Sequence, residues 1–116
     1  MVAAKKDLII EQGADFYKHL IYKDSNKIPK ILTSYTAKMQ IRATHGSKDV
    51  LFELSTANSR IVITANDGKI ELMIGNTLTS AMTFTKGVYD LELIDSGGSI
   101  TRLIEGTITV TKNVTI

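Results

Sequence analysis

The sequence predicts an all-β sandwich of eight or nine short strands, and three observations predict it. Ile and Thr are abundant, whereas proline occurs once and cysteine and tryptophan not at all. β-Branched side chains of that kind favour pleated, half-buried surfaces over helices. Apolar residues recur mainly at a period of two, the period of a strand with one face inside. Turn signals return about every ten residues, the spacing of a sandwich built from short strands. A closed barrel is the competing architecture.

The elements follow in order along the chain. Residues 7–11 read as an N-terminal strand. Phe16, Leu20 and Tyr22 share one parity through 15–23, with Lys18 interrupting their face, and Asp24-Ser25-Asn26-Lys27 with Pro29 closes the segment. Ala37, Met39 and Ile41 alternate with Lys38, Gln40 and Arg42. Thr44-His45-Gly46-Ser47 then turns the chain toward a strand with Val50, Phe52 and Leu54 on one side. Ile61 and Ile63, then Ile70, Leu72 and Ile74, flank Asn66-Asp67-Gly68, which supplies the positive-φ residues of a tight hairpin. Residues 76–82 offer at most one short helical turn, capped by Asn76 or Thr77. Tyr89, Leu91 and Leu93 face one way and Asp90 and Glu92 the other, before the turn Asp95-Ser96-Gly97-Gly98. Ile108 and Val110 alternate with Thr107, Thr109 and Thr111 in the last strand. Leu103-Ile104 breaks parity before Gly106 and predicts a bulge or a bend. A chain of 116 residues makes one domain, 7–116, preceded by a polar, unpatterned and flexible segment, 1–6.

Composition and spacing exclude more chemistry than they suggest. A formal charge of +2 is far from the basic stripe of a nucleic-acid binder, so nucleic acid is not an expected partner. The local basic bias lies in the first third, at Lys5, Lys6, Lys18, Lys23, Lys27 and Lys30. No window holds 18 apolar residues, so no membrane span is expected, and the N-terminus lacks the apolar core of a secretory signal. The absence of cysteine excludes a disulfide scaffold and thiol catalysis. His19 and His45 have no metal-ligand spacing, and no serine sits in G-x-S-x-G, so neither a metal nor a cofactor is expected. Asp90 and Glu92 project from one strand face about 7 Å apart, a separation near that of glycosidase carboxylates. The alternation makes them the wet side of a strand, and the chain is not expected to be an enzyme.

What remains is a candidate interface. The last strand is unguarded by charge until Lys112, so Thr107, Thr109 and Thr111 mark an edge open to strand addition unless residues 7–11 cover it. Lys5 and Lys6 belong to the N-terminal segment, which is expected to order against a partner.

Several stretches resemble a family of small immunoglobulin-like modules in tailed-bacteriophage virions. They are residues 7–16 (Asp-Leu-Ile-Ile-Glu-Gln-Gly-Ala-Asp-Phe), Tyr22-Lys23-Asp24, and residues 32–42 (Leu-Thr-Ser-Tyr-Thr-Ala-Lys-Met-Gln-Ile-Arg). Residues 50–56, 89–93 (Tyr-Asp-Leu-Glu-Leu) and 102–106 complete the set. The likeness is to the N-terminal domain of phage baseplate upper proteins and to related stand-alone phage proteins. It runs from about Asp7 to the C-terminus, and Asn26-Lys27 stands where a glycine turn is usual. The resemblance implies an immunoglobulin-like antiparallel β-sandwich. It also implies a virion structural protein, an adaptor or decoration module of the tail, baseplate, collar or head surface. Such a protein would be made in the host bacterial cytoplasm, would reside in the virion and would be oligomeric there. Its partners would be other virion structural proteins. With no fibre region after Ile116, a stand-alone module is expected rather than the attachment domain of a longer fibre. The alternative is a carbohydrate- or cell-surface-binding module on the virion, using the loops 33–36 or 66–68.

Overall fold

The computed structural model describes residues 3–114. Among them, nine strands follow one another: β1 (Ala4–Lys5), β2 (Leu8–Glu11), β3 (Phe16–Ile21), β4 (Thr36–Arg42), β5 (Phe52–Ser55), β6 (Ile61–Thr64), β7 (Lys69–Ile74), β8 (Lys86–Ile94) and β9 (Ile100–Thr111). One helical turn, α1 (Asn76–Ser80), lies between β7 and β8. The larger sheet has the order β9-β8-β4-β5, with β1 and β2 both laid along the outer side of β9. The smaller sheet has the order β3-β7-β6. Two separate sheets with open edges make a sandwich and not a closed barrel, and this strand order is immunoglobulin-like.

Alternation builds the core as the sequence predicts. Ala37, Met39 and Ile41 of β4, Ile70, Leu72 and Ile74 of β7, and Tyr89, Leu91 and Leu93 of β8 are all buried. They meet Leu8 and Ile10 of β2 and Ile108 and Val110 of β9 in one apolar cluster between the sheets. Lys18 occupies the core-side parity of β3 and is half-buried. An inward charge on an outer strand discourages edge-to-edge pairing there.

The expected bulge is present. Leu91 pairs with Ile104 but Glu92 pairs with Arg102, so Leu103 is the extra residue, and both Leu103 and Ile104 turn inward. The β6–β7 connection is less simple than a two-residue hairpin. Residues Ala65–Asp67 make a 3₁₀ turn, and only Gly68 of the three expected positions takes a left-handed conformation, with φ 59°. A side chain at Gly68 would lie 2.6 Å from the Lys30 carbonyl and 2.8 Å from that of Tyr22, so the position has no room for one.

Four expectations need correction. Residues 4–6 of the segment expected to be flexible are paired: β1 runs parallel to β9, and the Lys6 N–H donates to the Glu105 carbonyl at 2.8 Å. Met1 and Val2 of that segment, and Thr115 and Ile116, lie outside the described residues. The N-terminal strands pair with β9 in parallel within an otherwise antiparallel sheet. Val50 is exposed, because β5 begins only at Phe52. Neither Asn76 nor Thr77 caps α1: the cap position is Gly75, and the Asn76 N–H donates instead to Asp15 Oδ1 at 2.8 Å.

That last contact belongs to a staple between α1 and the β2–β3 turn. Thr79 is fully buried; its hydroxyl accepts from the Gly13 N–H at 3.1 Å and donates to the Ala14 carbonyl at 2.9 Å. Removing the hydroxyl takes this partner from the Gly13 N–H and the Ala14 carbonyl, both at the part-exposed turn, so Thr79→Val is expected to cost about 1 kcal/mol, read by chemical denaturation.

Candidate functional site

The five sequence-predicted interface residues do not form one site. The strand of the three threonines, β9, is not an edge: Thr109 pairs with Ile9, Thr111 pairs with Glu11, and the Gln12 N–H donates to the Thr111 carbonyl. Strand addition at β9 is therefore overturned in favour of the covered arrangement, and among the described residues the open edges lie at β1, β2, β3, β5 and β6. Lys5, Lys6 and Thr107 do come together. They line a shallow concavity of about 310 Å³ with Asp7 and His45. Thr109 lies further along β9, near Lys86 and Gly87, and Thr111 lies at the far end, beside Gly13 and Lys112.

The seam beneath that concavity fixes the N-terminus. Here the chain steps from β1 to β2 across Gly106. The Tyr89 hydroxyl, reaching from the buried side of β8, donates to the Lys6 carbonyl at 2.5 Å. Asp7 Oδ1 accepts from the Thr107 N–H at 3.0 Å. That backbone bond, with a further contact from the Thr107 side chain, holds the Asp7 carboxyl below its ordinary range. Burial, and secondarily the charge of Asp7, pushes the Tyr89 phenol up to about 12. A raised value in the folded state means stability that is complete below the unfolded phenol value of 10.0 and is lost as pH climbs through about 12. Stability is expected to fall across that interval, and Tyr89→Phe to flatten the fall, as followed by unfolding at stepped pH with phenolate absorbance as a second probe.

The outer face of the larger sheet is a charged ladder. Register places Glu53, Gln40, Asp90, Glu105 and Lys5 side by side across five strands. Arg102 holds Asp90 at 3.4 Å and Glu105 at 3.2 Å, and Lys5 reaches Glu105 at 3.7 Å. Gln40 donates to Glu53 at 2.8 Å and accepts from Arg42 at 2.7 Å, while Arg42 also reaches the carbonyls of Ser47 and Lys48. Glu92 pairs across the strands with Lys38 on one side and Arg102 on the other. Asp90 and Glu92 thus sit among cations on a solvated face, an arrangement that neutralises carboxylates. Among the described residues, no three His, Asp or Glu side chains are placed to hold a metal ion. The two histidines lie apart. His45 borders the ladder, and His19 lies on the other sheet, its ring 5.9 Å from that of Tyr17.

The outer face of the smaller sheet mixes apolar and charged groups. Tyr17 and Ile21 of β3 and Val62 of β6 are exposed there, Tyr17 beside half-buried Met73, Ile21 beside Lys69 and Val62 beside Glu71, with His19 between Tyr17 and Ile21. Its carboxylate, Glu71, accepts from the Tyr17 hydroxyl at 2.7 Å, which raises the phenol above its ordinary value. The sequence reading missed this face. The signal was available: Phe16-Tyr17, Leu20-Ile21 and Ile61-Val62-Ile63 are apolar at both parities, although an antiparallel strand needs only one apolar side.

Neither a protein-family model nor a curated protein matches this chain.

Proposed function

We propose that this chain is a bacteriophage virion structural protein. It acts as an adaptor or decoration module of the tail, baseplate, collar or head surface, through protein–protein contacts and in an oligomeric setting. The observation that carries the reading is the contrast between the sandwich's two outer faces. The larger sheet presents a self-compensated ladder of ions, which favours solvent. The smaller presents Tyr17, Ile21 and Val62 interspersed with His19, Glu71 and Lys69, and among the described residues no element packs over them. Exposed aromatic and aliphatic side chains mixed with polar ones are the ordinary form of a protein-binding surface. The phage resemblance supplies the setting. Its two most specific stretches, 32–42 and 89–93, supply neighbouring strands, with Ala37 paired to Leu93 and Ile41 to Tyr89. Quantitative mass spectrometry of particles of the encoding phage is expected to find the chain in many copies per virion. Its absence from purified particles would overturn the reading.

A second reading, a carbohydrate- or cell-surface-binding module, draws on one observation. The Leu32 N–H donates to the Ala65 carbonyl at 3.0 Å, bringing the loops 33–36 and 66–68 to one end of the sandwich. Binding of the assembled particle on a glycan array, abolished by Asn66→Ala, would favour it over the first.

A further inference from the structure

We propose that the chain joins a second copy of itself head to tail, the 23–31 loop of one copy seated in the groove between β2 and β3 of the next. The proposal rests on the assembly reading and names the partner.

The groove has a volume of about 380 Å³ and lies where both sheets end, since β2 is an outer strand of one sheet and β3 of the other. Ile9 and Tyr17 line it, 62% and 52% exposed. Its charged members are Asp7, Glu11 and Asp15 against Lys18 alone. Both flanking edges have unpaired backbone. The Tyr22 N–H donates to the Gly68 carbonyl, so the alternation of an antiparallel ladder turns the backbone of Tyr17, His19 and Ile21 away from β7. The Gln12 N–H donates to the Thr111 carbonyl, which by the alternation of the ladder turns that of Ile9 and Glu11 outward, the Glu11 carbonyl accepting there from the Ala14 N–H.

The loop is the complement. It carries Lys23, Lys27 and Lys30 against Asp24 alone, with Ile28 and Ile31 58% and 62% exposed. It is also pre-formed. Asp24 Oδ1 accepts from the N–H groups of Asn26 and Ile28, and Lys23 bridges to Pro29. Lys27 is held at φ 63°, a left-handed conformation that a lysine adopts only under constraint. A rigid basic loop bearing two exposed isoleucines matches an acidic groove lined by an isoleucine and a tyrosine, in charge and in apolar character. The two cannot meet within one chain. The groove takes in the start of β3 and the loop leaves its end, about 17 Å away by the strand rise. The contact therefore joins unlike surfaces of two copies, and such a contact closes into a ring or runs on as a filament.

The test is sedimentation of the purified chain over a range of concentrations at low ionic strength. The wild type is expected to grow beyond a dimer, and added salt to reverse that growth. Glu11→Lys and Lys27→Glu, each alone, are expected to weaken association by about tenfold or more. Mixed together they are expected to regain growth as alternating copies, because the Lys27→Glu loop meets the Glu11→Lys groove while the unaltered loop of one variant meets the unaltered groove of the other. A chain carrying both reversals is expected to associate as the wild type does, which a merely destabilised protein would not. A wild type that stays monomeric throughout, or single variants that associate like it, would overturn the proposal. The chain found in virions but monomeric in solution would remove this contact and leave the assembly role standing. Self-association of a chain missing from virions would do the reverse.

Discussion

Gly106→Ala is expected to loosen both N-terminal strands from the larger sheet and to destabilise the protein by about 2–3 kcal/mol. The reason lies at the step from β1 to β2. A methyl group at residue 106 would collide with the carbonyl oxygen and carbon of Lys6 and lie 3.0 Å from Asp7 Oδ1. A flexible side chain could swing aside, but the Lys6 backbone cannot. Its N–H is committed to Glu105, its carbonyl to the Tyr89 hydroxyl, and the next residue to the Thr107 N–H. Relief would break at least one of these bonds and leave its partner short of a ligand. In a domain of this size the loss corresponds to a melting point lower by roughly 10 °C. Amide hydrogen exchange is the sharper measurement. Protection should fall across residues 4–11 while β3 and β7, which touch neither Gly106 nor Lys6 by hydrogen bonds, keep theirs. Unchanged protection in β2 would show that the seam does not hold the N-terminus.

The same seam shows where the sequence could be read and where it could not. β4 and β8 were legible because each has one face in the core and one in water, so Met39 and Leu91 alternate cleanly with Gln40 and Glu92. The bulge at Leu103 was legible for the same reason, since a parity break has few other causes. What depends on pairing between distant residues was not. Parity assigned Tyr89 to the core but not its hydroxyl to Lys6, 83 residues earlier in the chain. The helix rules offered Asn76 as its own cap, whereas Asp15, 61 residues away, takes its N–H. The coverage of β9 by β2 was an open alternative, because the alternation of Leu8 and Ile10 says that a strand exists and not beside what it lies. The charged ladder draws one residue from each of five strands, and no local window contains it. The exposed Tyr17, Ile21 and Val62 of the smaller sheet differ: their signal is local, in the doubled apolar parity of β3 and β6.

Leu91→Ala is expected to cost about 3–4 kcal/mol, and Glu92→Ala beside it less than about 0.5 kcal/mol. Leu91 is fully buried in the strand that carries pairing on both sides, opposite Met39 of β4 and Ile104 of β9. A neighbour at the rim of the core could lean into the space left by three lost carbons. Here the backbone on each side is fixed by ladder hydrogen bonds, so the cavity stays open and its cost adds to the lost burial. Glu92 stands one residue further along and on the other face, half-exposed between Lys38 and Arg102. Exposed ion pairs contribute between nothing and about 1 kcal/mol, because water and salt screen them and two long side chains must be ordered. The measurement is a pair of denaturant titrations with equal slopes and separated midpoints. Two variants with the same midpoint would mean that both faces of β8 meet similar surroundings, and the sandwich drawn from its alternation would fall with that result.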